Sequence, residues 1–235
     1  MKIKNCLFEE KKLISYRAFI FTLFLLGCIS MLAFGAQVAN AESTIVVSQD
    51  GDGDYQSIEN AVYNATNGDT IEVRPGEYHQ SVYLSSNKEV TITAPDGATM
   101  NGSNTDPSAF DLSQSNSKVA ITGFTIEGYS TAINARFSTS NWSVTNSEIR
   151  NNNRGVRASH SSGSWNVNNN YIHNNSRYGV AGDGPKDDAT QNYWGSPTGP
   201  EQDQCVNADC ADHLISPTDI IGDVIITSGV VSSPS

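Results

Sequence analysis

The chain has 235 residues, of which 37% are hydrophobic and 17% charged, and a formal net charge of −11. Five of its 14 basic residues and two of its 25 acidic ones precede residue 42, so the remainder sets nine basic against 23 acidic residues. A body that acidic is repelled by DNA and RNA phosphates, which argues against nucleic acid as a partner. A Gly- and Asn-rich composition with few long aliphatics argues against a helical bundle and for a turn-dense β architecture.

Residues 1–17 are polar with net positive charge, Ala18 to Ala36 is an apolar run, and Ala39-Asn40-Ala41 follows. That order is that of a secretory signal peptide over residues 1–41, with cleavage before Glu42, and it places the protein outside the cell or at its surface. Two alternatives stand behind it. The apolar run is long enough to remain as a membrane anchor, and Leu25-Leu26-Gly27-Cys28 resembles a lipobox. A membrane is a partner only if the leader is retained or lipidated.

Ile45 to Val47 opens the body as a strand. Asp50, Asp52 and Asp54 then alternate as D-G-D-G-D, a pattern that suggests calcium. Tyr55 and Ala61 stand where an EF-hand loop requires Gly and Glu, so a plain turn is the expectation and Ca2+ the one cofactor considered. Tyr55 to Ala65 reads helical, with Ile58, Ala61, Val62 and Ala65 on one face. Ile71 to Val73, Val82 to Leu84 and Val90 to Ile92 read as strands between turns.

From Val119 the chain repeats itself every 23 residues. Ile121, Val144 and Val167 form one column, and Ile126, Ile149 and Ile172 a second. Ile133, Val156 and Val180 form a third, the last step lengthened by the insertion of Tyr178. The repeat is too short for a helical solenoid, and its fixed columns are β-branched. It fits three short strands per coil in an all-β parallel solenoid of about six coils, neighbouring coils about 4.8 Å apart. Asn146, Asn169 and Asn192 are expected to form an amide ladder at a turn, and Trp142 and Trp165 to pack on each other. The helix near the N-terminus is expected to cap the open first coil. The solenoid domain spans 42–200. A tail over 201–235 carries Cys205 and Cys210, expected to close a small disulfide loop, and a strand-like Asp223 to Ile226.

Two strings resemble a known family. DGDGDYQSIENAVYNATNGDTIEVRPGEYHQSVYL (Asp50 to Leu84) is similar to the opening of right-handed parallel β-helix proteins of the pectin-lyase-like superfamily. NYWGSPTGP (Asn192 to Pro200) resembles the element that closes a β-helix in many secreted and surface proteins. The resemblance covers roughly residues 44 to 200 and implies the right-handed fold. It does not imply an activity, because the superfamily hosts lyases, hydrolases, esterases, epimerases and proteins without known catalysis. The paired-Asp and Gly-His-Gly motifs of polygalacturonases and the Asp-Pro-His motif of mannuronan epimerases do not occur.

Five of the six arginines after residue 41 fall at Arg136, Arg150, Arg154, Arg157 and Arg177. Glu127, Arg150 and His173 share one column, and Thr131, Arg154 and Arg177 are expected to share another. Stacked arginines would make a positive spot able to hold the carboxylates of a polyuronate. The plain alternative is that Glu127 pairs with Arg150 and the rest are solvated turn residues. The ligand-binding candidates are Glu127, Arg150, Arg154, Arg157 and Arg177. If the protein is an enzyme, Arg150, Arg154, His173 and Arg177 are the catalytic candidates. The first expectation is non-catalytic binding of a polysaccharide or cell-surface glycan. The second is a polysaccharide lyase acting on acidic glycan, and the third a structural envelope component.

Overall fold

The computed structural model describes residues 42–84, 87–103, 106–139, 141–183 and 187–219. The leader and the stretch Asp223 to Ile226 lie outside the described residues. The described chain is an all-β parallel solenoid of about seven turns at ~23-residue spacing, one turn more than the sequence count.

Each full turn lays one strand on each of three faces. The first face carries β1 (Thr44–Val47), β2 (Thr70–Val73), the leading half of β5 (Glu89–Asn101) and of β7 (Lys118–Glu127), β9 (Trp142–Thr145) and β12 (Trp165–Asn168). The second carries β3 (Glu77–Tyr78), the trailing halves of β5 and β7, β10 (Glu148–Arg150) and β13 (Tyr171–His173). The third carries β4 (Val82–Tyr83), β6 (Ser108–Asp111), β8 (Thr131–Asn134), β11 (Arg154–Arg157), β14 (Tyr178–Ala181) and β15 (Cys205–Val206).

The aliphatic columns stack as the repeat requires. Ile71, Ile92, Ile121, Val144 and Val167 are successive register partners on the first face. Met100, Ile126, Ile149 and Ile172 do the same on the second, and Phe110, Ile133, Val156 and Val180 on the third. All are buried, and each such side chain contributes about 1.5–3 kcal/mol. Trp142 and Trp165 lie inside, stacked with centroids 5.4 Å apart and planes 9° apart.

The corners share one device. A residue in the left-handed region turns the chain, and in the later coils the next residue sends a buried polar side chain to the neighbouring coil. Phe124 and Tyr129, which follow Gly123 and Gly128, contribute only their amides to the ladders. At the first corner Gly123, Asn146 and Asn169 have positive φ, and Ser147, Asn170 and Asn192 form the ladder. Asn170 Oδ1 accepts from the Ser147 amide (3.0 Å), and Asn192 Oδ1 accepts from the Asn170 amide (2.9 Å). The ladder therefore stands one residue beyond the expected Asn146–Asn169 column. Those two asparagines supply the turn, because Asn tolerates αL. Asn192 joins the later column because its step is 22 residues. At the second corner Gly128, Asn151 and Asn174 turn the chain, and Asn152 and Asn175 form the ladder. At the third, Gln114, Phe137 and His160 turn it, and Ser115, Ser138 and Ser161 follow, each hydroxyl of the last two donating to a carbonyl one coil back.

The helix α1 spans Ile58–Asn64, shorter than the expected Tyr55 to Ala65. Ser57 is its N-cap, accepting from the Asn60 amide, and Tyr55 is held in a bridge to Val47 instead. Its face of Ile58, Ala61 and Val62 is buried in the core. In the tail β15 continues the third face beside β14, and a disulfide joins Cys205 to Cys210.

Asp69 explains the acidic residue of the G-D-T-I string. Its Oδ1 accepts from the Ser43 amide (3.1 Å) and hydroxyl (2.8 Å), and its Oδ2 from the Thr66 amide (2.7 Å) and hydroxyl (3.0 Å). The Thr66 amide bond, with the Ser43 and Thr66 bonds behind it, outweighs the effect of burial and lowers the Asp69 pKa. A lowered folded-state pKa gives stability that is complete above the unfolded value of about 3.9 and is lost as pH falls through the folded value. Denaturant unfolding from pH 7 to pH 2 should therefore show an acid limb below about pH 4. Asp69→Asn should be less stable at pH 7 and lose less across that limb. An acid limb of unchanged depth in Asp69→Asn would contradict this role.

Candidate functional site

The candidate residues divide between two faces. On the second face, Arg150 Nε donates to Glu127 Oε2 (2.8 Å), as the column of Glu127, Arg150 and His173 suggests. Arg150 Nη1 donates to Glu148 Oε1 (3.2 Å), and His173 Nε2 lies 2.9 Å from that same oxygen. Burial works against the Arg150 charge, but the bonds and fields of Glu127 and Glu148 outweigh it and raise its pKa. Arg150 is thus a cation already neutralised twice, and it is not free to hold a carboxylate ligand.

Glu148 is not among the sequence candidates, yet it is buried. Arg150 reaches back to Glu127 in the coil before, while Glu148 ties its own coil to the next through His173. Tyr171 is its register partner one coil on, and Tyr193 bridges to Tyr171 beyond. The signal was present in the spacing. Glu148 and Tyr171 stand two residues before Arg150 and His173, so the pleat puts all four side chains on the outer side of one face.

On the third face the register differs from expectation. Arg154 pairs with Thr131 on one side and with Tyr178 on the other, so Arg177 does not stack on it. The inserted residue moves Arg177 into the turn, where its amide donates to the Asn153 carbonyl (2.8 Å). The arginines still gather. Arg154 is the register partner of Tyr178, Arg157 lies on the same strand as Arg154, and Arg177 precedes Tyr178 in the chain. Burial raises the pKa of the Tyr178 phenol, and the fields of all three arginines pull it down. Arg154 and Arg157 are half-buried and Arg177 is exposed. Among the described residues, no carboxylate lies within 4.0 Å of any of the three. Arg136 sits at the third corner with its guanidinium carbon 4.4 Å from the centre of the Phe137 ring.

The D-G-D-G-D loop is occupied by protein contacts. Asp52 pairs with Arg74, and Asp54 Oδ2 accepts from the Val46 amide (2.8 Å). Asp50, Asp52 and Asp54 are not brought together into a ligand set: among the described residues no group of three or more His, Cys, Asp or Glu side chains is placed to hold a metal ion. Among those residues also, no helix is long and apolar enough to cross a membrane.

Comparison of the chain with family models, with characterised proteins and with solved structures gives no match.

Proposed function

We propose that this chain is a secreted or surface-displayed solenoid that holds acidic polysaccharide on its third face without altering it chemically. One observation carries the reading: Arg154 and Arg157 on one strand and Arg177 beside the Tyr178 strand that pairs with it share the third face, with no carboxylate partner among the described residues, in a chain whose net charge is −11. These cations are solvent-accessible and without carboxylate partners among the described residues, so they are open to an anionic ligand, and guanidinium groups bind carboxylates with bidentate geometry. A strand-built face fixes their spacing, so a polymer carrying a carboxylate on each unit engages several at once. The resemblance of Asp50 to Leu84 and Asn192 to Pro200 to pectin-lyase-like β-helices supports a glycan ligand. The Cys205–Cys210 disulfide fits an oxidising, extracellular-type compartment.

Binding without turnover is favoured by the chemistry of the face. Elimination at a uronate needs a base at C5. Tyr178 is the neutral proton-exchanging group amid the arginines, and its raised pKa keeps it protonated near pH 7.

Titration calorimetry with oligogalacturonate and oligoalginate, on protein from residue 42 onward, tests this. The double variant Arg154→Ala/Arg177→Ala should lose about 30-fold in affinity, on the order of 1 kcal/mol for each half-exposed pair. Binding should also weaken with salt. Equal affinity of the double variant and the parent would refute the arginine face. A rise in ultraviolet absorbance from unsaturated uronate ends would refute binding without turnover and make the chain a lyase.

A further inference from the structure

Where the second face meets the third, beside the last described turns, the surface opens into a cleft of about 440 Å3. Its walls include Tyr171, His173, Trp194, Glu201 and Gln204. We infer that this cleft binds one uncharged sugar ring, by contacts that use none of the third-face arginines.

The volume is that of a small-molecule site and suits a single ring better than a chain. One wall is aromatic. The Tyr171 ring stacks on the His173 imidazole with centroids 3.8 Å apart and planes 20° apart, and Tyr193 follows at 5.1 Å. Of these rings Tyr171 and His173 line the cleft together with Trp194, which gives it aromatic surface for the C–H groups of a pyranose. The polar groups are held ready. Glu148 Oε1 fixes His173 through Nε2 (2.9 Å) and is itself fixed by Arg150 Nη1 (3.2 Å), so the imidazole cannot turn freely. A carboxylate only accepts, so Nε2 carries the hydrogen and Nδ1 of a neutral ring is an acceptor. The His173 side chain is 14% exposed and lines the cleft, and Nδ1, without a hydrogen-bond partner among the described residues, is the ring atom left to meet a ligand hydroxyl. The Glu201 side chain is exposed and unpaired among the described residues, and its two oxygens accept hydroxyls. Preorganisation of this kind lowers the ordering cost of binding.

The charges select against an acid. Glu201 stands without a cationic partner among the described residues, and no lysine or arginine is among the residues that line the cleft. A uronate would meet repulsion here that a neutral hexose does not.

Saturation-transfer NMR with the methyl glycosides of glucose, galactose and mannose, and with galacturonate, tests the assignment at millimolar ligand. At least one neutral glycoside should receive transfer, and in the Arg154→Ala/Arg177→Ala background, where the third face no longer holds acids, galacturonate should not. Glu201→Ala, at an exposed position that leaves folding intact, should cut that transfer about fivefold or more, as should Tyr171→Ala. Arg154→Ala/Arg177→Ala should leave it unchanged while losing the acidic oligomers. No transfer to any neutral glycoside, transfer to galacturonate through this cleft, or full transfer in Glu201→Ala would overturn the inference. The results with neutral glycosides do not bear on the arginine face.

Discussion

Asn170→Ala should lower the thermal midpoint by about 10 °C, while Asn169→Gly, one residue earlier, should move it by no more than about 2 °C. Asn170 is fully buried at the first corner. Its Nδ2 donates to the Val144 carbonyl (2.9 Å), the Asn168 carbonyl (3.0 Å) and Asn192 Oδ1 (3.1 Å), and its Oδ1 accepts from the Ser147 amide (3.0 Å). Alanine removes all four bonds and leaves the Ser147 amide buried without its acceptor. At about 1–3 kcal/mol for each buried group left unpaired, the loss is on the order of 3–5 kcal/mol. Asn169 has φ 57° and serves the turn through its backbone. Glycine adopts that conformation at no steric cost, so the turn survives. Equal losses in the two variants, measured by thermal and urea unfolding, would mean that the ladder is not what holds the corner.

Gly155→Ala should cost about 3 kcal/mol, or about 6–12 °C in the midpoint, although it adds only one methyl group. A Cβ built on Gly155 lies 2.2 Å from the carbonyl oxygen of Gly179 and 3.1 Å from its carbonyl carbon. Both atoms belong to the backbone of the next coil, whose position is set by the flanking pairs of Arg154 with Tyr178 and Val156 with Val180. The methyl cannot be accommodated by rotating a side chain, so the coils must part. The unfolded-state gain from replacing Gly by Ala is only about 0.4–1 kcal/mol, and the clash outweighs it. A parent-like midpoint in Gly155→Ala would show that the two coils are not packed at this distance. The site also matters for ligand binding, because Gly155 sits between Arg154 and Arg157 and any parting of the coils displaces both from Tyr178.

How far the sequence reaches is best seen in particular columns. Ile121 with Val144 and Val167, and Ile126 with Ile149 and Ile172, are legible because core-facing β-branched residues must recur at the period of the coil. The one-residue insertion before Val180 is legible, and Val156 pairs with Val180 across it as expected, but Tyr178 fills the Arg154 column and the extra residue lies in the turn before it. The effect on Arg177 is not legible. The step stays 23 up to Asn152 with Asn175 and becomes 24 at Arg154 with Tyr178, so the extra residue falls in the turn that holds Arg177, and a turn residue has no core column to anchor its register. The ladder at Asn170 was missed for a related reason. Asn146 and Asn169 form as regular a column as Ser147 and Asn170, and only the backbone tells the turning residue from the bonding one. At the sites, Glu148 was overlooked because a buried carboxylate is unexpected on a strand. It becomes intelligible once Arg150 and His173 converge on it. Glu201 lies in the tail and reaches the cleft by the path of the chain rather than by any period.

The arginine face is most directly tested by following the Nε–Hε resonances of the arginines as oligogalacturonate is added. Arg154, Arg157 and Arg177 should shift together and saturate at one ligand concentration, while Arg150, held by Glu127 and Glu148, stays in place. Movement of Arg150 with the other three silent, or no movement of any arginine at saturating ligand, would contradict an acidic glycan bound on the third face.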